Sequence, residues 1–256
     1  MIKRIFAIAR NTFRETLRDR ILWSALVVML ALTAFSLFVG SVSLEQDSRM
    51  IIDFGLTATY VLQIFVAIFI GSMLMYKEVE RRTFFLIIPK PIERGEIIAG
   101  KCLGLTATTI SVTTLSTLAL FVILAMKGIH GAYLPILLSV LLSSLESVIL
   151  ILLSILLSSI TSPILAAVYT IAFFLIGHSS DILRTLIETQ TSFLSSFFLK
   201  FAYYVMPNLE KFNIRNDVIY SAIPDMRGII ASVLYATCYA IFLFLIARAL
   251  FEKKEF

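Results

Sequence analysis

The stretch AYLPILLSVLLSSLESVILILLSILLSS, residues 132–159, decides the fold class of this chain, because it is almost wholly apolar and carries one charged side chain. A helix needs about 20 mainly apolar residues to cross the hydrocarbon core of a bilayer, so this segment predicts a membrane-spanning helix. Its charged residue, Glu146, lies near the middle. Serines recur at steps of four and seven, which places them on one helical face: Ser139, Ser143, Ser147, Ser154 and Ser158. We expect that face to point into protein rather than into lipid.

The composition of the whole chain indicates a membrane protein. Of its 256 residues, 59% are hydrophobic and 15% are charged, whereas roughly 25% of residues are charged in soluble domains. The two cysteines, Cys102 and Cys238, lie in apolar segments without metal-ligand spacing, so neither a disulfide framework nor a metal site is predicted. The net charge of +5 comes from basic residues beside apolar segments, which favours lipid headgroups over nucleic acid as the partner.

Six segments predict an all-α polytopic membrane protein with six transmembrane helices in one domain, residues 1–256. Pro163–His178 is short, and we expect residues 158–162 to extend it. The apolar run Phe193–Met206 is too short to cross, so it predicts an interfacial or re-entrant element within a long external segment, residues 179–227. The other predicted spans, with residues 132–159, are Ile21–Gly40, Leu56–Tyr76, Cys102–Met126 and Gly228–Phe251.

The distribution of lysine and arginine predicts the orientation. Residues 1–20, residues 77–101 and the tail from Arg248 fall on one side and hold 15 of the 22 basic residues, so that side is expected to be cytoplasmic, with both termini. Residues 1–20 also show amphipathic periodicity, which predicts a helix lying flat at the membrane interface. Its apolar face consists of Ile2, Ile5, Phe6, Ala9, Phe13 and Leu17.

The cytoplasmic loop KEVERRTFFLIIPKPIERGEIIAGK, residues 77–101, is more charged than a connector requires. Its two prolines, Pro89 and Pro91, predict two short helices about a kink. The stretch GEIIAGKC, Gly95–Cys102, approaches a phosphate-binding loop, but Cys102 replaces the hydroxyl residue and an apolar span follows. We therefore expect no ATP site on this chain, and we interpret Gly100 and Gly104 as positions of close helix contact.

The same loop resembles the cytoplasmic signature of type-2 ABC transporter permeases. The likeness departs from the family at Arg82, where glycine is usual. A second stretch, MPNLEKFNIRNDVIY at residues 206–220, is similar to the segment before the last span in the subgroup that serves nitrous-oxide reductase maturation. The residues that carry the first likeness are Glu78-Val79-Glu80-Arg81-Arg82-Thr83, Leu86, Pro91-Ile92-Glu93-Arg94, Glu96-Ile97-Ile98 and Gly100-Lys101.

The resemblance implies a permease subunit of an ATP-driven exporter in the inner membrane of a prokaryote. It implies an identical second copy, two ATPase subunits that hold ATP and Mg²⁺, and no cofactor or catalytic residue on this chain. The loop would form a coupling helix that contacts the ATPase, or, alternatively, a solvated loop whose charges pair with each other. The expected coupling residues are Glu78, Glu80, Arg81, Arg82 and Arg94.

Glu146 is the remaining candidate, because a carboxylate in a membrane span is costly unless it is paired, protonated or wet. With Ser143 and Ser147 it would lie on the translocation path or form a conformational switch; alternatively, it is hydrogen-bonded to serines or threonines of a neighbouring span. A secondary transporter that uses Glu146 as an ion-linked or proton-linked site is the alternative class. His130 and His178 lie at outer span ends without a partner motif, and neither predicts a metal ligand.

Overall fold

The computed structural model describes residues 2–42, 47–74, 94–129, 131–189, 205–220 and 226–253, with a few single residues between 197 and 203. All regular structure in these ranges is helical. We number the α-helices α1 (Ile2–Leu17), α2 (Arg20–Val42), α3 (Asp47–Phe65), α4 (Arg94–Met126), α5 (Tyr133–Ile160), α6 (Pro163–His178), α7 (Ser180–Thr189), α8 (Arg215–Ile219) and α9 (Met226–Lys253). A π-helical turn, Val66–Ile70, continues α3 to Leu74, and a 3-10 turn, Glu210–Phe212, precedes α8.

Five of the described helices are long and apolar enough to cross a membrane, and a bent pair, Pro163–His178 with Ile182–Thr189, raises the number to six. The polytopic all-α fold expected from the sequence is therefore confirmed. The helices alternate in direction, so the bundle has two ends. We call the end beside α1 the α1 end, and the opposite end, where α3 and α5 begin, the far end.

Helix α1 packs on the first turns of α4 across two glycines. A Cβ atom at Gly100 would lie 2.7 Å from Ile8, and one at Gly104 would lie 2.6 Å from the carbonyl oxygen of Ala9, so only glycine permits this approach. The close contact predicted at these positions is confirmed. Ile2 and Phe6 remain 82% and 70% exposed, which leaves part of the apolar face of α1 free for the membrane interface.

The stretch Gly95–Cys102 forms the first turns of α4 rather than a loop. Lys101 is buried, and its Nζ donates to the carbonyl oxygen of Leu74 at 3.3 Å. Residues 75–93, with Glu78, Glu80, Arg81 and Arg82 and the predicted kink, lie outside the described residues. Lys101 thus ties together the two helices between which this loop runs.

The expected extension of the short span Pro163–His178 by residues 158–162 is wrong. Ser158 and Ser159 belong to α5, which ends at Ile160, and the next two residues have extended backbone. Pro163 explains this, because proline fits the first turn of a helix and disfavours helical conformation in the residue before it. Helix α6 therefore has 16 residues, or roughly 24 Å, and it reaches only the level of the middle of α5.

The far half of the bundle beside α5 is filled by residues 205–220 instead of by α6. The N–H of Leu209 donates to the carbonyl oxygen of Gly177 at 3.1 Å, and a Cβ atom at Gly177 would lie 2.7 Å from the carbonyl oxygen of Pro207. Leu209, Phe212 and Val218 are buried. Most of the predicted interfacial run, Phe193–Met206, lies outside the described residues.

The π turn in α3 contacts α5. Such a turn leaves a backbone carbonyl without its usual partner within the helix. The hydroxyl of Ser154 lies 3.1 Å from the carbonyl oxygen of Ala67 and 2.9 Å from that of Ile151 in its own helix, and its one proton can be donated to either. Because Ser154 lies on the predicted serine face, this contact shows one use of that face.

The glycine contact between α1 and α4 generates the first prediction. We expect Gly104→Leu to displace α1 and to destabilise the fold by about 1–3 kcal/mol, the usual cost of overpacking. Ala107→Leu is the control, because Ala107 lies on the exposed face of the same helix. Trypsin should cleave Gly104→Leu faster than the control after Arg10 and Arg14. Equal cleavage of the two variants would show that the contact does not hold α1.

Candidate functional site

The serine face of α5 is buried, as the sequence predicts, and Glu146 lies buried on it. Ser143 and Ser147 are buried as well, but their hydroxyls donate to backbone carbonyls of their own helix, at Val140 and Ser144. The hydroxyls of these two serines therefore have hydrogen-bond acceptors within α5 itself. Glu146 takes its hydrogen bonds from other helices.

Two side chains from neighbouring helices bind the carboxyl group of Glu146. The hydroxyl of Tyr60, on α3, donates to Oε1 at 2.8 Å. Nε2 of His178, the last residue of α6, lies 2.8 Å from the same oxygen and 2.8 Å from the Tyr60 hydroxyl. The other oxygen, Oε2, is buried without a hydrogen-bond partner among the described residues. The alternative of serine or threonine partners from a neighbouring span is thus wrong for this carboxyl group, because tyrosine and histidine occupy those positions.

His178 connects the buried carboxyl group to a second one. Its Nδ1 lies 2.8 Å from Oε2 of Glu210, in the 3-10 turn before α8. The exposed fraction of the side chain rises along this series, from 1% for Glu146 to 17% for His178 and 37% for Glu210. The three side chains therefore form a continuous connection from the centre of the bundle to its far end.

Two more residues close these contacts into a ring. Asn213 Nδ2 donates to Oε1 of Glu210 at 3.0 Å, and Arg215 Nε donates to Oδ1 of Asn213 at 3.1 Å. The guanidinium of Arg215 stacks 3.8 Å from the centroid of the Tyr60 ring. Because Tyr60 binds Glu146, this contact closes the ring. We call this set the polar ring: Tyr60, Glu146, His178, Glu210, Asn213 and Arg215.

Two open cavities lie in this part of the bundle. One, of about 280 Å³, is an apolar groove between α3 and α6 with Tyr60, Phe65 and Phe174 in its wall. The other, of about 370 Å³, lies between α5, α9 and residues 211–217, where Lys211 and Asp217 supply charges of opposite sign. In the described ranges no group of three or more His, Cys, Asp or Glu residues is arranged to hold a metal ion.

The sequence indicated Glu146 but missed Tyr60, His178 and Glu210. The sequence places His178 at an outer span end without a partner motif, yet it contacts two carboxyl groups, each 32 residues away along the chain. One signal could have revealed it: a helix as short as Pro163–His178 that begins at one membrane face ends within the bundle, so its last residue needs polar partners there.

Only one of the predicted coupling residues, Arg94, is described, and it begins α4. The α1 end nearby holds a charged contact, in which Nη1 of Arg4 lies 3.9 Å from Oε2 of the buried Glu96. The structure therefore separates the two predicted sites, with Arg94 at the α1 end and Glu146 in the middle of the bundle.

The model of a protein family described as ABC-2 family transporter protein matches residues 6–255. The chain belongs to the ABC-2 transporter family. A search of curated proteins finds no match. As an ABC-2 family member with apolar spanning helices, this chain is a multi-pass membrane permease subunit rather than an enzyme, and the family associates in general with ABC ATPase subunits.

The polar ring of this ABC-2 permease generates a prediction about stability. Glu146→Leu removes the carboxyl contact of both the Tyr60 hydroxyl and His178 Nε2 and leaves them only the 2.8 Å contact with each other, and a buried polar group that loses its partner costs about 1–3 kcal/mol. We expect a clear fall in the thermal unfolding midpoint of the chain in lipid nanodiscs. Ser143→Ala is the matched control, because that hydroxyl bonds only its own helix, and its midpoint should stay near that of the unchanged chain. Equal midpoints for the two variants would contradict a structural role of the carboxyl group.

Proposed function

We propose that this chain is the membrane-spanning subunit of an ATP-driven exporter, in which two identical copies form the translocation path. Two separate ATPase subunits would bind and hydrolyse ATP with Mg²⁺. The observation that carries the proposal is the family match over residues 6–255, nearly the whole chain. The match includes the charged loop between the second and third spans, which is the part that resembles the coupling region of type-2 permeases.

The contacts around that loop support a coupling role. Lys101 on α4 binds the carbonyl of Leu74 at the end of the second span, so the helices on both sides of the loop are joined. Helix α1 packs on the same turns of α4 through Gly100 and Gly104. A displacement of the loop by an ATPase would therefore move α1, α3 and α4 together.

Glu146, Ser143 and Ser147 belong in this proposal to the path or to a conformational switch. The geometry favours the switch for Glu146, because its carboxyl group joins α3, α5 and α6 through two short contacts. A change in these contacts would change how the three helices fit. Ser143 and Ser147, whose hydroxyls bond their own helix, contribute a small and polar packing surface beside it.

A secondary transporter is the second candidate function, and the polar ring is the observation that favours it. Carboxyl groups at mid-depth and a helix that ends within the membrane are features of ion-coupled transporters. The two functions differ in the energy source. Transport that needs ATP and the partner ATPase supports the exporter, whereas transport by this chain alone down an ion gradient supports the alternative.

The basic-residue distribution predicts that the α1 end faces the cytoplasm. In a chain whose two cysteines are replaced by alanine, we expect a membrane-impermeant maleimide added from outside to label Asn216→Cys but not Asn11→Cys. Both positions are exposed, on α8 and α1 respectively. Labelling of Asn11→Cys in intact cells would reverse the proposed orientation.

Charge reversal tests the coupling loop. If Arg81, Arg82 or Arg94 pairs with a carboxylate of the ATPase, reversal to Glu places like charges together, which costs several kcal/mol at a desolvated contact and little at an exposed one. We expect the triple reversal to reduce co-purification of the ATPase or to uncouple its activity. Lys127→Glu is the control, because Lys127 is exposed at the far end and the change in charge per residue is the same.

The same experiment covers the expectation that ATP is held by the partner. The purified chain alone should show no saturable ATP binding, whereas the complex with the ATPase should bind and hydrolyse it. An intact, coupled complex after the triple reversal would exclude residues 77–101 as the coupling site, and saturable ATP binding by the chain alone would exclude the assignment of ATP to a partner.

A further inference from the structure

Helix α1 presents one side to α4 and leaves the opposite side exposed. The packed side carries Ile8, which lies against Gly100, and the buried hydroxyl residues Thr12 and Thr16. An arginine stands two residues after each of these three positions. Because two residues correspond to about 200° around a helix, the arginines lie nearly opposite α4. We call these exposed residues the arginine row: Arg10 and Arg14 on α1, and Arg18 in the turn that follows it.

The arginine row has no anionic partner within the part of the chain that the structure describes. The ion pairs there involve other basic residues, such as Arg4 with Glu96. Asp19, which follows the row, accepts a hydrogen bond from the N–H of Ile21 at 3.0 Å and so caps the start of α2. Like charges four residues apart on a helix repel each other and destabilise it. An anion from outside the chain would remove this repulsion.

The corner between α1 and α2 places the arginine row beside the membrane boundary. Helix α2 begins at Arg20 and is apolar and long enough to span a membrane. Trp23, in its first turns, is 52% exposed, and its Nε1 donates to the carbonyl oxygen of Leu17 at 2.7 Å. Exposed tryptophans of this kind gather at the level of lipid headgroups. The last turn of α1 is therefore tied to the residue that marks this level.

We propose that the arginine row is a binding surface for anionic phospholipids, whose headgroups neutralise the three guanidinium groups at the corner between α1 and α2. Lipid on one side and α4 on the other then hold α1 in place. Because α1 packs on the first turns of α4 at Gly100 and Gly104, the charge of the surrounding lipid stabilises this packing. The proposal goes beyond the export function and does not depend on it.

The chemistry of the arginine row distinguishes lipids by their net charge. Guanidinium groups bind phosphate oxygens through paired hydrogen bonds, and every phospholipid headgroup contains a phosphate. In phosphatidylcholine a covalently attached cation accompanies the phosphate and repels the row, whereas phosphatidylglycerol carries no such cation. Each lysine or arginine beside an anionic membrane surface strengthens binding about fivefold. The row should therefore gather anionic lipids from a mixed bilayer.

Trp23 is the single tryptophan of the chain, so its fluorescence reports on the lipids at this corner. The full chain is reconstituted in equal parts of phosphatidylcholine and phosphatidylglycerol. Brominated acyl chains, which quench tryptophan at short range, are placed on one lipid or on the other, so both samples have the same charge. At about 0.1 M salt we expect a preference of about fivefold for phosphatidylglycerol beside Trp23. At about 1 M salt, where the Debye length is roughly 3 Å, the preference should approach one.

Matched variants test whether the arginine row causes the preference. Glutamine at all three positions of the row should abolish it, because glutamine keeps the helix propensity and removes the charge. Lysine at the same positions should retain most of it. The control removes an equal charge from three exposed positions at the far end and should leave the preference unchanged. Its substitutions are Arg49→Gln, Lys127→Gln and Arg227→Gln.

The proposal is overturned if both brominated lipids quench Trp23 equally in the unchanged chain at low salt, a result that would favour an acidic protein surface as the partner of the row. It is also overturned if the glutamine variant keeps the preference, or if the far-end control loses it, because the effect would then follow from the net charge of the chain. The experiment contains no ATPase, so its failure and the failure of the proposed export function are distinguishable.

Discussion

A carboxyl group in the middle of a membrane-spanning helix must find its hydrogen-bond partners inside the protein, because lipid offers none. In this chain that group is Glu146, and the arrangement of the far half of the bundle meets its requirement. Tyr60 reaches it from α3, and His178 reaches it because α6 ends at the same depth. The chain then returns with Glu210 to bind the other side of the imidazole. One buried carboxyl group thus contacts α3 and α6 directly and is connected through His178 to the turn that carries Glu210.

The short length of α6 is what makes these contacts available. A helix that crossed the whole membrane would carry its last residue to the surface, where His178 would meet water. Because α6 stops early, the space beside the far half of α5 is filled by a 3-10 turn and the five residues of α8. Irregular backbone is tolerated at this depth only when its polar groups are paired with protein. The bond from Leu209 N–H to the Gly177 carbonyl is one such pair.

The sequence predicted those features that depend on local periodicity and failed on those that depend on long-range contact. The spanning helices follow from runs of apolar residues, and the buried serine face follows from the helical spacing of residues 139–158. Close helix contact at Gly100 and Gly104 was predicted because small residues four apart allow close approach, whereas its partner, α1, was not. The partners of Glu146 were not, because Tyr60 lies 86 residues away along the chain and His178 lies 32 residues away. The spacing of residues along one helix does not indicate which side chain of another helix will contact them.

The π turn at Val66–Ile70 lies between Tyr60 and the end of the second span at Leu74. A π turn contains one residue more than an α turn, and one residue corresponds to about 100° of rotation along a helix. The part of α3 beyond the turn therefore differs by one residue in helical register from the part that carries Tyr60. The hydroxyl of Ser154, on α5, contacts the Ala67 carbonyl within this turn at 3.1 Å. The extra residue thus changes which face of the second span lies toward α5 between the turn and Leu74, and it leaves the face that carries Tyr60 unchanged.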